Sequence, residues 1–299
     1  MRKSPPVRSY PIPTRKYPPY RPIPVLPGRR AWYQMPDAIA GLVLLGLVLC
    51  LAILGPVLTR CEPNAIHAKT RLQGPTSEYP LGTDQFGRDV MCRTFYGGRV
   101  SLPVGLLAVA TAVLPGLWLG LIAGYQGGWV DVLVVRFTDI TLAFPSILLA
   151  LLIIAWLGTG IQNAMIAVGL AAMPRYIRVV RANAARLERA WFVRAARIVG
   201  CTNTRILIRH ILPNVLPAII ALATLDIGWA ILSGAALSFL GLGAQPPMAE
   251  WGAMIDQGRG FLRQAPWIVL APGVMMTVTV LAVNLIGDGL RDALDPRIR

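Results

Sequence analysis

What most constrains this chain is a set of long segments that carry no charged residue. Ala38 to Leu58 is uncharged throughout, and as a helix it would reach about 32 Å, enough to cross the hydrocarbon core of a bilayer. Further uncharged stretches run from Val100 to Val130 and from Ile140 to Pro174. Low charge together with such long apolar runs points to the membrane class. Runs of this length therefore specify helices. The expected fold class is all-α, a polytopic membrane helical bundle.

Walking the chain gives a count. The first span is Ala38 to Leu58, and the second runs from Val100 to near Tyr125. The stretch from Ile140 to Pro174 is too long for one helix and is broken at Leu157-Gly158-Thr159-Gly160, so it holds the third span and the start of a fourth. About 13 residues separate that break from Pro174, roughly 20 Å of helix. The fourth span must then continue past Pro174, with Arg175 and Arg178 snorkelling to the interface or facing protein. The fifth runs from Leu216 to Leu242, interrupted by Asp226, and the sixth from Pro266 to Ile286. About six transmembrane helices are expected.

Composition agrees with the membrane class: 55% of residues are hydrophobic and 14% charged, where a soluble domain carries about 25% charged. The mean hydropathy is +0.57. The net charge of +15 raises nucleic acid as a partner, but the basic residues sit between apolar runs with few aromatics among them. In a membrane protein that pattern reports topology, and nucleic-acid binding is not expected. The segment before span one has eight Lys/Arg and no acid up to residue 36. The loop from Pro174 to Pro213 carries nine arginines (Arg175, Arg178, Arg181, Arg186, Arg189, Arg194, Arg197, Arg205, Arg209) against Glu188 alone. Thr59 to Arg99 instead mixes six basic with four acidic residues. With six spans, the basic tail, the basic loop and the C-terminus share one side, which the positive-inside rule makes cytoplasmic.

The expected organisation is a Pro-rich basic cytoplasmic tail (1–36), read as extended or disordered and not as a signal peptide. A first transmembrane helix (37–59), an extracytoplasmic segment (60–98) and a five-helix transmembrane domain (99–299) follow. Gly116, Gly120 and Gly124 stand four apart, as do Ala230, Gly234 and Ser238. Such small-residue stripes let helix backbones approach closely, and internal packing is the expectation for both. Cys61 and Cys92 fall in one outside compartment, so a disulfide is open to them, but all four cysteines are expected as free thiols. His67 and His210 have no cysteine at ligand spacing, so no metal site is expected.

Several charges stand out from this pattern. Asp226 sits about ten residues into span five, roughly 15 Å deep. A carboxylate there is costly, which makes it a candidate pathway residue; the other reading is a helix-contact acid, hydrogen-bonded or protonated. Asp131, Arg136 and Asp139 mark an interface next to span three, and Arg136 and Asp139 are spaced to pair on one helix face. Asp84, Arg88 and Asp89 either meet an external partner or fold their segment. Pro246-Pro247 with Trp251 reads as a stiff turn beside an interfacial aromatic.

The segment Phe192-Val193-Arg194-Ala195-Ala196-Arg197-Ile198-Val199-Gly200, continuing to His210-Ile211-Leu212-Pro213-Asn214, suits a short helix, a turn at Gly200 and a second short helix ending near Pro213. Two alanines give such a helix a smooth face for another protein's groove. This segment (190–214) resembles the EAA loop of binding-protein-dependent ABC importer permeases: Ala195, Ala196, Gly200, Leu212 and Pro213 fit its spacing. Arg194 stands in place of the usual glutamate, and His210 matches the variant common in the peptide-transporter branch. Three other stretches carry the same resemblance: Leu81 to Leu102, Ser238 to Gly252, and Asn284 to Pro296. Together they cover nearly everything from residue 37 onward and are similar to the second, C-type permease chain of dipeptide, oligopeptide or nickel importers.

The resemblance implies a type I ABC importer permease fold in a bacterial inner membrane. Its implied partners are a related permease forming a heterodimer, two ATP-binding cassette subunits and an extracytoplasmic solute-binding protein. The chain has no GxxxxGK phosphate loop, so no cofactor is expected in it, and ATP and Mg²⁺ belong to the partner ATPases. The implied cargo is a di- or oligopeptide, with nickel or glutathione as alternatives. A stand-alone secondary transporter or channel would instead show paired intramembrane charges or inverted repeats, and a membrane enzyme would need a nucleophile and base at membrane depth. One deep acid and two histidines outside the spans supply neither.

Overall fold

The computed structural model describes residues 32–294. The expected tail up to residue 36 lies mostly outside them, as do the last residues of the C-terminal motif. Among the described residues the regular structure is helical. Helix α1 is Pro36–Thr59, α2 Val90–Gln126, α3 Gly128–Leu142, α4 Ser146–Leu157 and α5 Ile161–Glu188. Then come α6 (Trp191–Ile198), α7 (Asn203–Ile206), α8 (Leu212–Phe239), α9 (Trp251–Gly258) and α10 (Trp267–Leu294).

Four of these segments are long and apolar enough to span a membrane unaided: α1, α2, the run Asn203–Phe239 and α10. Helices α3 and α4 make a fifth if taken as one span, but they bend by 97° at their junction, where Pro145 precedes α4 and cannot continue the α3 ladder. Helix α5 has the length of a sixth span, and its arginines set it apart from the other five. It runs unbroken through Pro174 as expected. Helix α2 begins at Val90, ten residues before the expected start, because its two early arginines have partners. Arg93 donates to the Pro63 carbonyl and to Asn64 Oδ1, and Arg99 donates to the Ala52 and Ile53 carbonyls at the end of α1.

The core is centred on α2 and α5, which make the most extensive helix pair. The Gly116, Gly120, Gly124 stripe forms that seam: a Cβ on Gly120 would lie 2.7 Å from the Val180 Cβ and 2.8 Å from the Ile177 carbonyl oxygen. Gly234 of the other stripe faces Val104 of α2 in the same way. Both stripes therefore serve internal packing, where backbone proximity and dispersion replace the absent hydrophobic drive.

At the end of the bundle where α1 finishes and α2 starts, residues 60–89 fold back as a cap. Asp84 is its hub, accepting from the Arg88 side chain (2.6 Å) and from the Phe86 and Arg88 amides. Asp89 caps α2 through the Met91 and Cys92 amides, and burial pushes its carboxyl upward against those two bonds. These acids fold their own segment. Two expectations are corrected here. Cys61 and Cys92 form a disulfide and tie the cap to the first turn of α2, leaving Cys50 and Cys201 free. Trp251 is fully buried, not interfacial, with its indole N–H donating to the Thr94 carbonyl. Its neighbours Pro246-Pro247 are joined by a cis bond, and Glu250 caps α9 through the Gly252 and Ala253 amides.

Candidate functional site

The Arg-rich segment builds a projecting elbow. Helix α6 follows α5 after a two-residue gap and is amphipathic: Val193 and Ala196 pack into the main core, while Ala195 faces outward. Of the two alanines expected to give a smooth face, one is thus a core contact and one is presented. Beside Ala195 the tip exposes Trp191 (83%), Ile198 (88%) and Val199 (81%).

The spacing of Ala196 and Gly200 has a local cause. The Cys201 amide donates to the Ala196 carbonyl and the Gly200 amide to the Arg197 carbonyl, the paired bonds of a Schellman helix stop. That stop needs a left-handed residue, and Gly200 sits at φ +83°, where any side chain is strained. Nothing lies within 4 Å of the position a Cβ would take, so the requirement is one of backbone and leaves the glycine open to a partner.

Beyond Gly200 the structure departs from expectation. The second short helix does not end near Pro213; α7 passes through a π turn (Leu207–Ile211) directly into α8. Pro213 has no N–H and its ring crowds the preceding turn, and widening that turn absorbs the conflict. The Leu212 amide accordingly reaches back to the Leu207 carbonyl. His210 lies half-buried within the π turn, and its carbonyl accepts from Asn214 Nδ2 at 2.7 Å. Leu212 packs against the core and Pro213 is exposed in the first turn of α8.

Arg197 fastens this elbow to the bundle. Its guanidinium pairs with Glu188 at the end of α5 (2.9 Å) and lies 5.5 Å from the ring of Tyr125 at the end of α2. Hydrogen bonding to Tyr125, and next to Glu188, holds this guanidinium above its ordinary range. The Tyr125 hydroxyl in turn donates to Asn203 of α7 at 2.8 Å. Sequence alone does not single out Arg197, one arginine among nine in this segment. Arg194, in the glutamate's place, lies 5.5 Å from the ring of Trp191.

A second constellation runs up α5. Arg175, Arg178 and Arg181 each take an acid from another helix: Asp226 of α8, Asp139 of α3 and Asp131 of α3. Asp226 is 6% exposed and accepts from Arg175 Nη1 (2.8 Å) and the Tyr176 hydroxyl (2.7 Å). It stands about 20 Å from the far end of α8, and Arg175 stands about 21 Å along α5, so the two meet at one depth. Asp226 is therefore a helix-contact acid in this structure, and Tyr176, apolar in its pattern, is the partner that sequence could not mark. Asp139 pairs with Arg178 across helices and not with Arg136 along its own, because the long arginine reaches over from α5.

The three pairs differ in strength. Arg181 grips Asp131 through two nitrogens, a bidentate geometry that fixes both groups. Asp226 is buried, so losing its partner is costly. Arg178 and Asp139 keep 57% and 54% of their side chains exposed, and such a pair contributes about 0–1 kcal/mol. Between α3 and α5 lies a cavity of about 280 Å³ lined by Val135, Thr138, Asp139, Ile177, Arg178 and Arg181.

Residues 116–299 match the family described as binding-protein-dependent transport system inner membrane component. The dipeptide transport system permease protein DppC of Alkalihalophilus pseudofirmus is 49% identical, covering 92% of this chain and 91% of the relative. The glutathione transport system permease protein GsiD of Pectobacterium atrosepticum is 41% identical over 91% of this chain and 90% of its own. Among solved structures, the inward-facing MetNI methionine ABC transporter superposes with a TM-score of 0.55 at 20% identity, covering 69% of this chain and 98% of that one. That likeness speaks to the fold alone.

Proposed function

The chain belongs to the family of binding-protein-dependent transport system inner membrane components, and we propose from that premise how it works as the permease of an ATP-driven importer. It forms half of a translocation pathway beside a related permease. Two ATP-binding cassette subunits bind ATP and Mg²⁺ on the cytoplasmic side, and a solute-binding protein delivers cargo from the other. The basic elbow and both termini face the cytoplasm, as the arginine distribution favours.

The observation that carries this reading is the elbow's tip. Ile198 and Val199 are held out within a Schellman stop, and Trp191 is exposed at the other end of the same short helix. An apolar cluster on a short amphipathic helix gains by burial in a partner's groove, and Arg197 transmits the load to α5 and α2. Ala195, Gly200 and Pro213 form the presented face, and Ala196, His210 and Leu212 anchor it. Asp226 bears on the pathway through α5, which it locks to α8.

Peptides are the cargo best supported, since the dipeptide relative is the more similar of the two described. The 41% identity to a glutathione permease supports a second reading, in which a γ-linked tripeptide is carried. Substituting Gly200→Val tests the mechanism. The left-handed backbone penalises a β-branched residue, so the importer should insert and assemble while ATP hydrolysis no longer drives uptake. Full peptide uptake by that variant would refute the docking assignment.

A further inference from the structure

The cavity between α3 and α5 pairs a carboxylate with guanidinium groups at the Arg-rich end of the bundle. Arg178 lies about 26 Å along α5, within or at the edge of the hydrocarbon core. An ion pair more than half exposed at that depth cannot border lipid tails; it borders water or protein. The lining is graded from charged (Asp139, Arg178, Arg181) through hydroxyl (Thr138) to apolar (Val135, Ile177). The third span bends by 97° between α3 and α4, so α3 alone of the two forms this wall of the cavity.

We propose that this cavity is a transit site for zwitterionic peptides, with Arg178 taking the terminal carboxylate and Asp139 the terminal ammonium. The inference rests on the peptide reading above and assigns a place within the permease to that cargo. Two residues span at most about 7 Å between their ends, so a dipeptide can insert where Arg178 Nη2 and Asp139 Oδ1 now meet at 2.7 Å. One exposed ion pair then opens and two form, with every charge still partnered. Among the three pairs on α5 this is the one that can open cheaply, being the most exposed and held by a single contact. Arg181 remains locked on Asp131, so its charge stays matched while Arg178 is free to turn to the carboxylate end. A guanidinium suits that end because it binds a carboxylate bidentately.

The test uses the assembled importer in lipid nanodiscs, without binding protein, and dialanine as the probe, read by saturation-transfer NMR. Dialanine should bind saturably, and dialanine acetylated at one end and amidated at the other should bind at least tenfold more weakly. Arg178→Gln and Asp139→Asn should each weaken dialanine at least tenfold, and Arg178→Lys less than either. The blocked peptide needs no variant, so the proposal stays testable if a substitution prevents assembly. Absence of saturable binding, equal binding of the blocked peptide, or unchanged binding by both variants would overturn it. Dialanine uptake by the complete importer, measured alongside, separates the two readings. Uptake without this binding defeats the transit site alone, and no uptake of any peptide defeats the peptide reading and the site with it.

Discussion

The pair formed by Arg175 and Asp226 makes a prediction that depends on which partner is buried. Asp226 is 6% exposed, whereas the side chain of Arg175 is 44% exposed. Arg175→Gln leaves a carboxylate at membrane depth with only the Tyr176 hydroxyl for company. Stranding one member of a buried pair costs 3–5 kcal/mol, and partial solvent access at the arginine end puts the expectation at about 3 kcal/mol. Asp226→Asn leaves the cation where water or a polar neighbour already reaches it, and the amide oxygen still accepts from Tyr176. Its cost should be about 1 kcal/mol, the difference between a charged and a neutral hydrogen bond. In the double variant the carboxylate is gone, so losing Arg175 as well adds little, giving a coupling of about 3 kcal/mol. Thermal melting of the purified importer should rank Arg175→Gln below Asp226→Asn, with the double variant close to Asp226→Asn. If Arg175→Gln melts no lower than Asp226→Asn, the assignment of burial to the acid is wrong. The same proteins decide the pathway question: unchanged uptake and coupled ATP hydrolysis in Asp226→Asn would remove this carboxylate from the mechanism.

Gly120→Leu drives a side chain into the Val180 Cβ and the Ile177 carbonyl and should cost at least 1–3 kcal/mol in melting experiments; Gly46→Leu on α1, with nothing within 4 Å, should be near neutral. Alkylation of the denatured chain should modify two cysteines before reduction and four after it, and Cys61→Ser should lower stability by about 3–4 kcal/mol through the freed cap; four reactive thiols without reductant would refute the pairing.

What was legible in the sequence follows from where its signals are local. Uncharged runs report spans because hydrocarbon penalises each charge in turn, so α1, α8 and the start of α10 are readable within about four residues, while α10 continues eight residues past the expected Ile286. The start of α2 was not, since Arg93 and Arg99 read as polar loop until their acceptors in the cap and on α1 are known. The Ala196–Gly200 spacing was readable because a Schellman stop is a local motif. The route past Pro213 was not, because a proline signals a break and a widened π turn leaves no composition of its own. Long-range pairing was the hardest to see. Asp226 was recognised as costly, but its partners lie fifty residues away on α5, and Arg136 beside Asp139 offered a nearer and incorrect answer. The Cys61–Cys92 bond was likewise settled by the fold of the cap.

These long-range pairs account for α5 being the one long helix too charged to register as a span. Its Gly-seamed contact with α2 leaves no slack, and close-packed interfaces shift as units instead of deforming. Its last turn meets the elbow through Glu188 and Arg197, and Tyr125 brings the end of α2 into the same contact. On the proposed docking of α6, its displacement would therefore reach α2 and α5 together. On the far side of that unit, Asp226 resists because it is buried, and Asp131 because it is held twice. The contact left to yield is Arg178 with Asp139, exposed on both sides and set against a span already broken at Pro145. If α6 docks as proposed, load applied at the elbow would fall on this weakest contact, at the wall of the cavity between α3 and α5. The arginines that a bilayer should exclude from α5 are thus each partnered, by contacts of unequal strength.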